Sequence, residues 1–216
     1  MTASPAPALH VIAGPGGAGG WDNVVAEVAA LVGLEPVVES FPAAGGAAER
    51  AQALLNAAAT MDGAVLVLPH QPAGPGAGPA AVRRVLVPFD RSGAESDVLD
   101  PLIRRALAAD LAVEQVHVLT DQSRPAIWEG AGHHARAWLD ELRRRYQVGT
   151  ASLRVRAGSP AAVLCALAAG VDLVVACWSG ETGAGRARVL REIVADTPSP
   201  LLLVRAASPT WGAGSG

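Results

Sequence analysis

Eight short apolar runs, none long enough to be a core helix, punctuate the chain and alternate with alanine-rich stretches of helical period. That alternation constrains the fold more than any other feature. Short apolar runs are buried strands, and strands that alternate with amphipathic helices build a parallel sheet covered on both faces. The first block holds three such runs: Leu9 to Ala13, Val37-Val38, and Ala64 to Leu68. Between them, Val24, Val25, Val28, Leu31 and Val32 fall on one helical face, with Asp22 placed as N-cap and Gly33 as stop. Ala47 to Ala59 reads as a second helix with Ala51, Leu54 and Leu55 inward. The order βαβαβ favours right-handed parallel crossovers.

The second block repeats the pattern at greater length. Strands are expected at Val85–Phe89, Val113–Leu119, Leu153–Val155, Val171–Cys177 and Leu201–Val204. Helices are expected from Asp100-Pro101 (read as N-cap and first helical residue) to Ala109, and over Gly130–Tyr146, Pro160–Ala169 and Ala187–Ala195. The fold class is α/β, a doubly wound parallel sheet with a smaller N-terminal βαβαβ block. The expected domain plan is the N-terminal block at 8–70, a proline- and glycine-rich linker at 71–82, the larger domain at 83–206, and a fraying tail at 207–216. Val37–Pro69 and Arg154–Trp178 echo one another as strand, small-residue turn, alanine-rich helix and buried strand. The echo leaves two readings of the N-terminal block: a truncated or diverged repeat, or a chance likeness between alanine-rich helices.

Composition narrows the function. The net charge of −3 disfavours nucleic acid as a partner. All seventeen basic residues are arginine, which excludes a lysine Schiff base and a phosphate-loop lysine. No apolar stretch is long enough to span a membrane, and Met1–Pro7 lacks a secretory pattern, so the expected location is the cytoplasm. The two cysteines, Cys165 and Cys177, make no disulfide framework. His133 and His134 are adjacent and point apart on a helix, so no metal site is expected. No catalytic triad or carboxylate pair emerges from the spacing.

Three places carry candidate binding chemistry. Val87-Pro88-Phe89-Asp90-Arg91-Ser92 ends a strand in a carboxylate and a hydroxyl, where open sheets bind ligands. Ser179–Gly185 is a glycine-rich loop between a strand and a helix, with Arg186 and Arg188 at the helix start. Such loops can offer backbone amides and a helix N-terminus to phosphate. In the first block, Gly14, Gly16 and Gly19 satisfy G-x-G-x-x-G, and Glu39 stands at the end of the next strand, where a ribose-binding acid would sit. This leaves a dinucleotide-binding enzyme as one alternative and a nucleotide-free interaction domain as another.

The second block resembles the universal stress protein family over about residues 84–206. Arg84–Ser92 is similar to that family's opening strand, Val116-His117-Val118 to its second strand, and Val155–Pro160 to its glycine-x-proline helix entry. Val171–Val175 and Thr197–Val204 resemble its fourth and closing strands. The resemblance implies a binding and regulatory protein rather than an enzyme, with ATP or AMP as the nucleotide. Pro88, Phe89, Asp90 and Val118 would surround base and ribose, while Gly180, Gly183, Gly185, Arg186, Arg188 and Val189 would form the phosphate side. Family members that bind ATP carry a second glycine followed by serine or threonine. Here those positions fall on Ala187 and Arg188, so the loop is shortened and its second phosphate clamp is missing. Trp178 is bulky enough to fill part of the base side. The resemblance also implies pairing through Leu201–Val204, as a homodimer or as a pseudo-dimer within the chain, and it names no protein partner.

Overall fold

The computed structural model describes residues 7–13, 18, 20–41, 45–69, 81–90, 93–121, 132–183 and 186–206. The first block forms β1 (Ala8–Ala13), α1 (Asp22–Val32), β2 (Pro36–Ser40), α2 (Ala47–Ala58) and β3 (Gly63–Val67). The second forms β4 (Arg84–Pro88), α3 (Gly93–Ala108), β5 (Ala112–Leu119), α4 (Gly132–Tyr146), β6 (Ser152–Ala157), α5 (Pro160–Ala168), β7 (Leu173–Trp178), α6 (Arg186–Asp196) and β8 (Leu201–Arg205). The expected proline-rich linker lies almost wholly outside the described residues, as does the tail.

Both blocks build one eight-stranded sheet in the order β2-β1-β3-β8-β7-β4-β5-β6. Neighbours are parallel except β3 and β8, which run antiparallel with Val65 opposite Leu203. The period of two along β8 explains its composition. Leu202 and Val204 face a core that includes Val28 of α1 and Leu102 of α3. Leu201 and Leu203 face the opposite core, with Leu55 of α2, Leu164 of α5 and Ile193 of α6. A strand covered on both faces needs an unbroken apolar run, and all four residues are fully buried.

The β8 position corrects one expectation. A homodimer through Leu201–Val204 would need a free strand edge, but β3 occupies one edge of β8 and β7 the other. The sheet edges are instead β2 and β6. Val37 and Val38 stand exposed on β2.

Two helix starts also differ from expectation. Helix α3 begins at Gly93, and Pro101 lies inside it. Proline lacks the N–H that a helix interior uses, which made Asp100-Pro101 look like a start. The sequence Ser92-Gly93-Ala94-Glu95 carries the serine-x-x-glutamate start signature about two turns upstream. Asp22 is the first residue of α1 rather than its cap, which is Trp21; its charge still complements the helix N-terminus.

Side chains from both blocks hold the entry into β4. Glu27 of α1 accepts the Val82 N–H at 2.6 Å. Asp172, in the turn before β7, accepts the N–H groups of Arg83 and Arg84 at 3.0 and 2.9 Å. Arg105 of α3 donates to the Val32 carbonyl at the end of α1 at 3.3 Å. Carboxylates accepting backbone N–H groups make stronger bonds than neutral acceptors, so the start of the larger sheet half is pinned to the smaller one.

Candidate functional site

Strand β4 connects forward to β5 on one side, while β7 lies on its other side. At such a reversal the flanking crossover helices leave a crevice at the carboxyl ends of the strands. A cleft of about 230 Å³ opens there. Pro88, Phe89, Val118, Trp178, Leu190 and Ile193 supply its apolar lining.

The end of β4 is fixed by backbone and ring contacts. The Phe89 N–H donates to the Val116 carbonyl at 3.1 Å. Its ring lies 5.4 Å from that of His117 and 5.6 Å from that of Tyr146. His117 Nδ1 lies 3.0 Å from the Phe89 carbonyl. A carbonyl only accepts, so Nδ1 carries the hydrogen and donates. Asp90 stands exposed on the rim, and its N–H donates to Glu95 Oε2 at 2.9 Å. The structure thus brings Pro88, Phe89, Asp90 and Val118 to one cleft, and Val189 joins them from α6.

The glycine loop is less uniform than its sequence suggests. Gly180 adopts φ +82°, and a Cβ there would meet the Arg205 guanidinium at 2.8 Å. The Arg205 tip can move aside, so it is the positive φ that favours glycine here, independently of any ligand. Gly183 has open space around it, and neither glycine lines the cleft. Gly185 lies outside the described residues, as do the side chain of Arg186 and residues Arg91 and Ser92. Of the two positions where the family carries glycine and a hydroxyl residue, Ala187 is buried in the cleft wall. Arg188 extends into solvent, 75% exposed, and pairs with Glu192 at 3.5 Å. Trp178 is buried and forms part of the wall.

Several lining residues were not singled out by sequence reasoning. Glu95 was hidden by the late helix start. His117 was visible only as part of an apolar strand, and its inward direction depends on register against β4. Glu181 and Cys177 come to the cleft from the end of β7, and Pro160 and Leu164 from α5. No local pattern brings α5 and α6 over the same crevice.

Of the alternative dinucleotide loop, the structure describes only the acid. Gly14, Gly16 and Gly19 lie outside the described residues. Glu39 accepts a hydrogen bond from His10 Nδ1 at 2.8 Å, so this carboxylate ties edge strand β2 to β1.

Two groups beside these elements titrate abnormally. Burial pushes the Asp100 carboxyl above its ordinary value; nearby Arg104 opposes this and Asp97 reinforces it. Burial also raises the Cys165 thiol, with Asp196 and Glu192 adding to the effect. Asp100 lies behind Phe89, beside Gln115 and Tyr146. Among the described residues, no group of three or more histidine, cysteine, aspartate or glutamate side chains is arranged to hold a metal ion. No helix among them is long and apolar enough to cross a membrane.

Fold and cleft together define a doubly wound α/β protein with a ligand-sized crevice at its switch point. The family model for the universal stress protein family matches residues 81–205, more than half of the chain. The chain belongs to the universal stress protein family. No curated protein matches it. Among solved structures, it is similar to a universal stress protein in complex with cAMP, at 20% identity and a TM-score of 0.43, covering 59% of this chain and 100% of that one. A universal stress protein from Archaeoglobus fulgidus aligns at 12% identity and a TM-score of 0.48, over 86% of this chain and 74% of that one. Another from the same organism, in complex with dAMP, aligns at 15% identity and a TM-score of 0.38, over 56% and 96%.

Proposed function

We propose that the chain is a ligand-responsive regulatory protein of the cytoplasm, which holds the nucleoside end of an adenine nucleotide such as AMP or ATP in the switch-point cleft. The observation that carries this reading is the convergence of Pro88, Phe89, Asp90 and Val118 with Val189 on one apolar crevice. A base would lie against Phe89 and Val118, and Asp90 would accept hydrogen bonds from ribose hydroxyls. The phosphate side is degenerate: Ala187 packs into the wall and Arg188 pairs with Glu192 in solvent.

In the same reading, the N-terminal block is a shortened copy that takes the place of a second subunit. Three observations support this. Strand β3 pairs antiparallel with β8. Helix α1 shares a core with α3. Helix α2 shares the opposite core with α5 and α6. An approximate two-fold axis normal to the sheet would produce this distribution, and covering β8 removes an aggregation-prone edge.

Alkylation of Cys177, which lines the cleft and is partly exposed, tests the proposal. Adenosine or an adenine nucleotide is expected to slow its labelling, with Cys165 as the internal control. Val118→Trp, which fills the cleft, is expected to abolish the protection. If no nucleoside or nucleotide protects Cys177, the reading fails.

A further inference from the structure

Strand β2 is one free edge of the sheet, and it is built unlike the other edge. Among the described residues no strand lies beyond β2, whereas in the second block β5 has β6 on its outer side. Among the described residues, Val37 and Val38 are the large apolar side chains that stand exposed, at 45% and 56%. Successive residues of a strand face opposite sides, so both faces of this edge are apolar. Val38 is level with Val11 on the side that α1 covers, and Val37 with His10 on the other side. The opposite edge, β6, presents Arg154 and Arg156 to solvent. Charged side chains of that kind guard an edge against pairing. Strand β2 carries no basic residue, and its Glu39 bonds to His10 of its own sheet.

The backbone of β2 is self-complementary. The Leu9 N–H donates to the Glu35 carbonyl, and the Phe41 N–H to the Ala13 carbonyl. By the period of two, Val37 and Glu39 also turn their backbone groups to β1. The N–H and C=O groups of Val38 and Ser40, and the Pro36 carbonyl, therefore point to the open side. A two-fold axis through Val38, normal to the sheet, lays β2 antiparallel against β2 of a second copy. Val38 then exchanges N–H and C=O bonds with Val38 of the second copy, and each Ser40 N–H meets the other copy's Pro36 carbonyl. The missing proline N–H removes only the bond to the Ser40 carbonyl. Side chains fit the same register: Val38 meets Val38 on one face, and Val37 lies opposite Glu39 on the other. Sliding one copy by one pleat repeat either way sets Glu39 against Glu39 or against Glu35, and like charges directly opposite are unfavourable.

We infer that β2 is an interface between two copies of this chain, paired antiparallel about Val38 so that their sheets run on as one. The contact is isologous, as in most homodimers. A five-residue strand buries less surface than the roughly 1,600 Å² of a standard interface, so the dimer is reversible and depends on concentration.

Sedimentation velocity of the full chain across the micromolar range, with amide exchange at both ends of that range, tests the inference. A reversible dimer is expected. The Val38 and Ser40 amides are expected to gain protection only at the high end, while those of Val37 and Glu39, bonded to β1, stay protected throughout. Val38→Lys is expected to weaken dimerisation about tenfold or more. Its melting temperature at the low end is expected to match the parent's, as for other exposed positions. A monomer at every concentration overturns the inference. Freely exchanging Val38 and Ser40 amides would then leave the edge to a strand of another protein, and amides protected throughout would assign it to a further segment of this chain. A dimer that leaves these amides unprotected, or that Val38→Lys does not weaken, uses another surface and also overturns the inference.

Discussion

Leu66 of β3 lies directly opposite Leu202 of β8, in the antiparallel pairing that joins the two halves of the sheet. Both side chains are fully buried in the same core. Leu66→Ala or Leu202→Ala is expected to cost about 2–5 kcal/mol, the range for deleting a large buried aliphatic group. Because this ladder makes one sheet of two blocks, urea unfolding followed by circular dichroism is expected to show a single shifted transition. Two separated transitions in the parent chain would mean that the blocks unfold independently.

The two described glycines of the loop after β7 are expected to behave differently. Gly180→Ala places a side chain at positive φ and against Arg205. It is expected to cost about 1–2 kcal/mol from the backbone alone. Gly183→Ala meets open space and is expected to stay within about 0.5 kcal/mol of the parent, like other surface changes. Equal losses in chemical denaturation would contradict the assignment of Gly180 to a structural role.

Asp172 serves two N–H groups at once, those of Arg83 and Arg84. Asp172→Ala is expected to cost about 1–3 kcal/mol, as for lost bonds to a charged acceptor. Amide exchange at Arg83 and Arg84 is expected to accelerate. Glu27→Ala, which frees Val82 in the same segment, is expected to give the same signature one residue earlier. Unchanged exchange at these amides would show that the carboxylates do not hold the entry to β4.

Asp100 gives a pH dependence with a defined sign. Its carboxyl titrates above the ordinary value because burial disfavours the charged form. The folded chain thus binds this proton more tightly than the unfolded chain. The resulting stabilisation is complete below the unfolded value and is lost as pH rises through the folded one. Asp100→Asn is expected to remove this slope. The variant should gain on the parent as pH rises from acid towards neutral, and melting temperatures across that range would reveal it.

Much of the architecture was legible in the sequence because its signals are local. The run Leu201–Val204 announced a strand buried on both faces, and the valines of α1 announced a one-sided helix. Phe89 and Asp90 could be placed at the strand end that lines the cleft, since that rule depends only on strand direction. The start of α3 was misread because Pro101 gave a stronger local cue than Ser92 and Glu95. Glu39 could be placed at the end of β2 by position, but its hydrogen bond with His10 on the neighbouring strand could not be read from the sequence.

The sequence by itself determined the alternation of strands and helices, the family, and four residues of the cleft on β4 and β5. Periodicity and turn chemistry act over a few residues, so they can be read without coordinates. Only the tertiary structure decided that β8 pairs with β3, which closes an edge that would otherwise seek a second copy. It also decided that Glu95 and Glu181 join Asp90 at the cleft mouth while Arg188 turns away. Strand pairing and the membership of a cleft depend on which distant residues meet, and no local pattern encodes that.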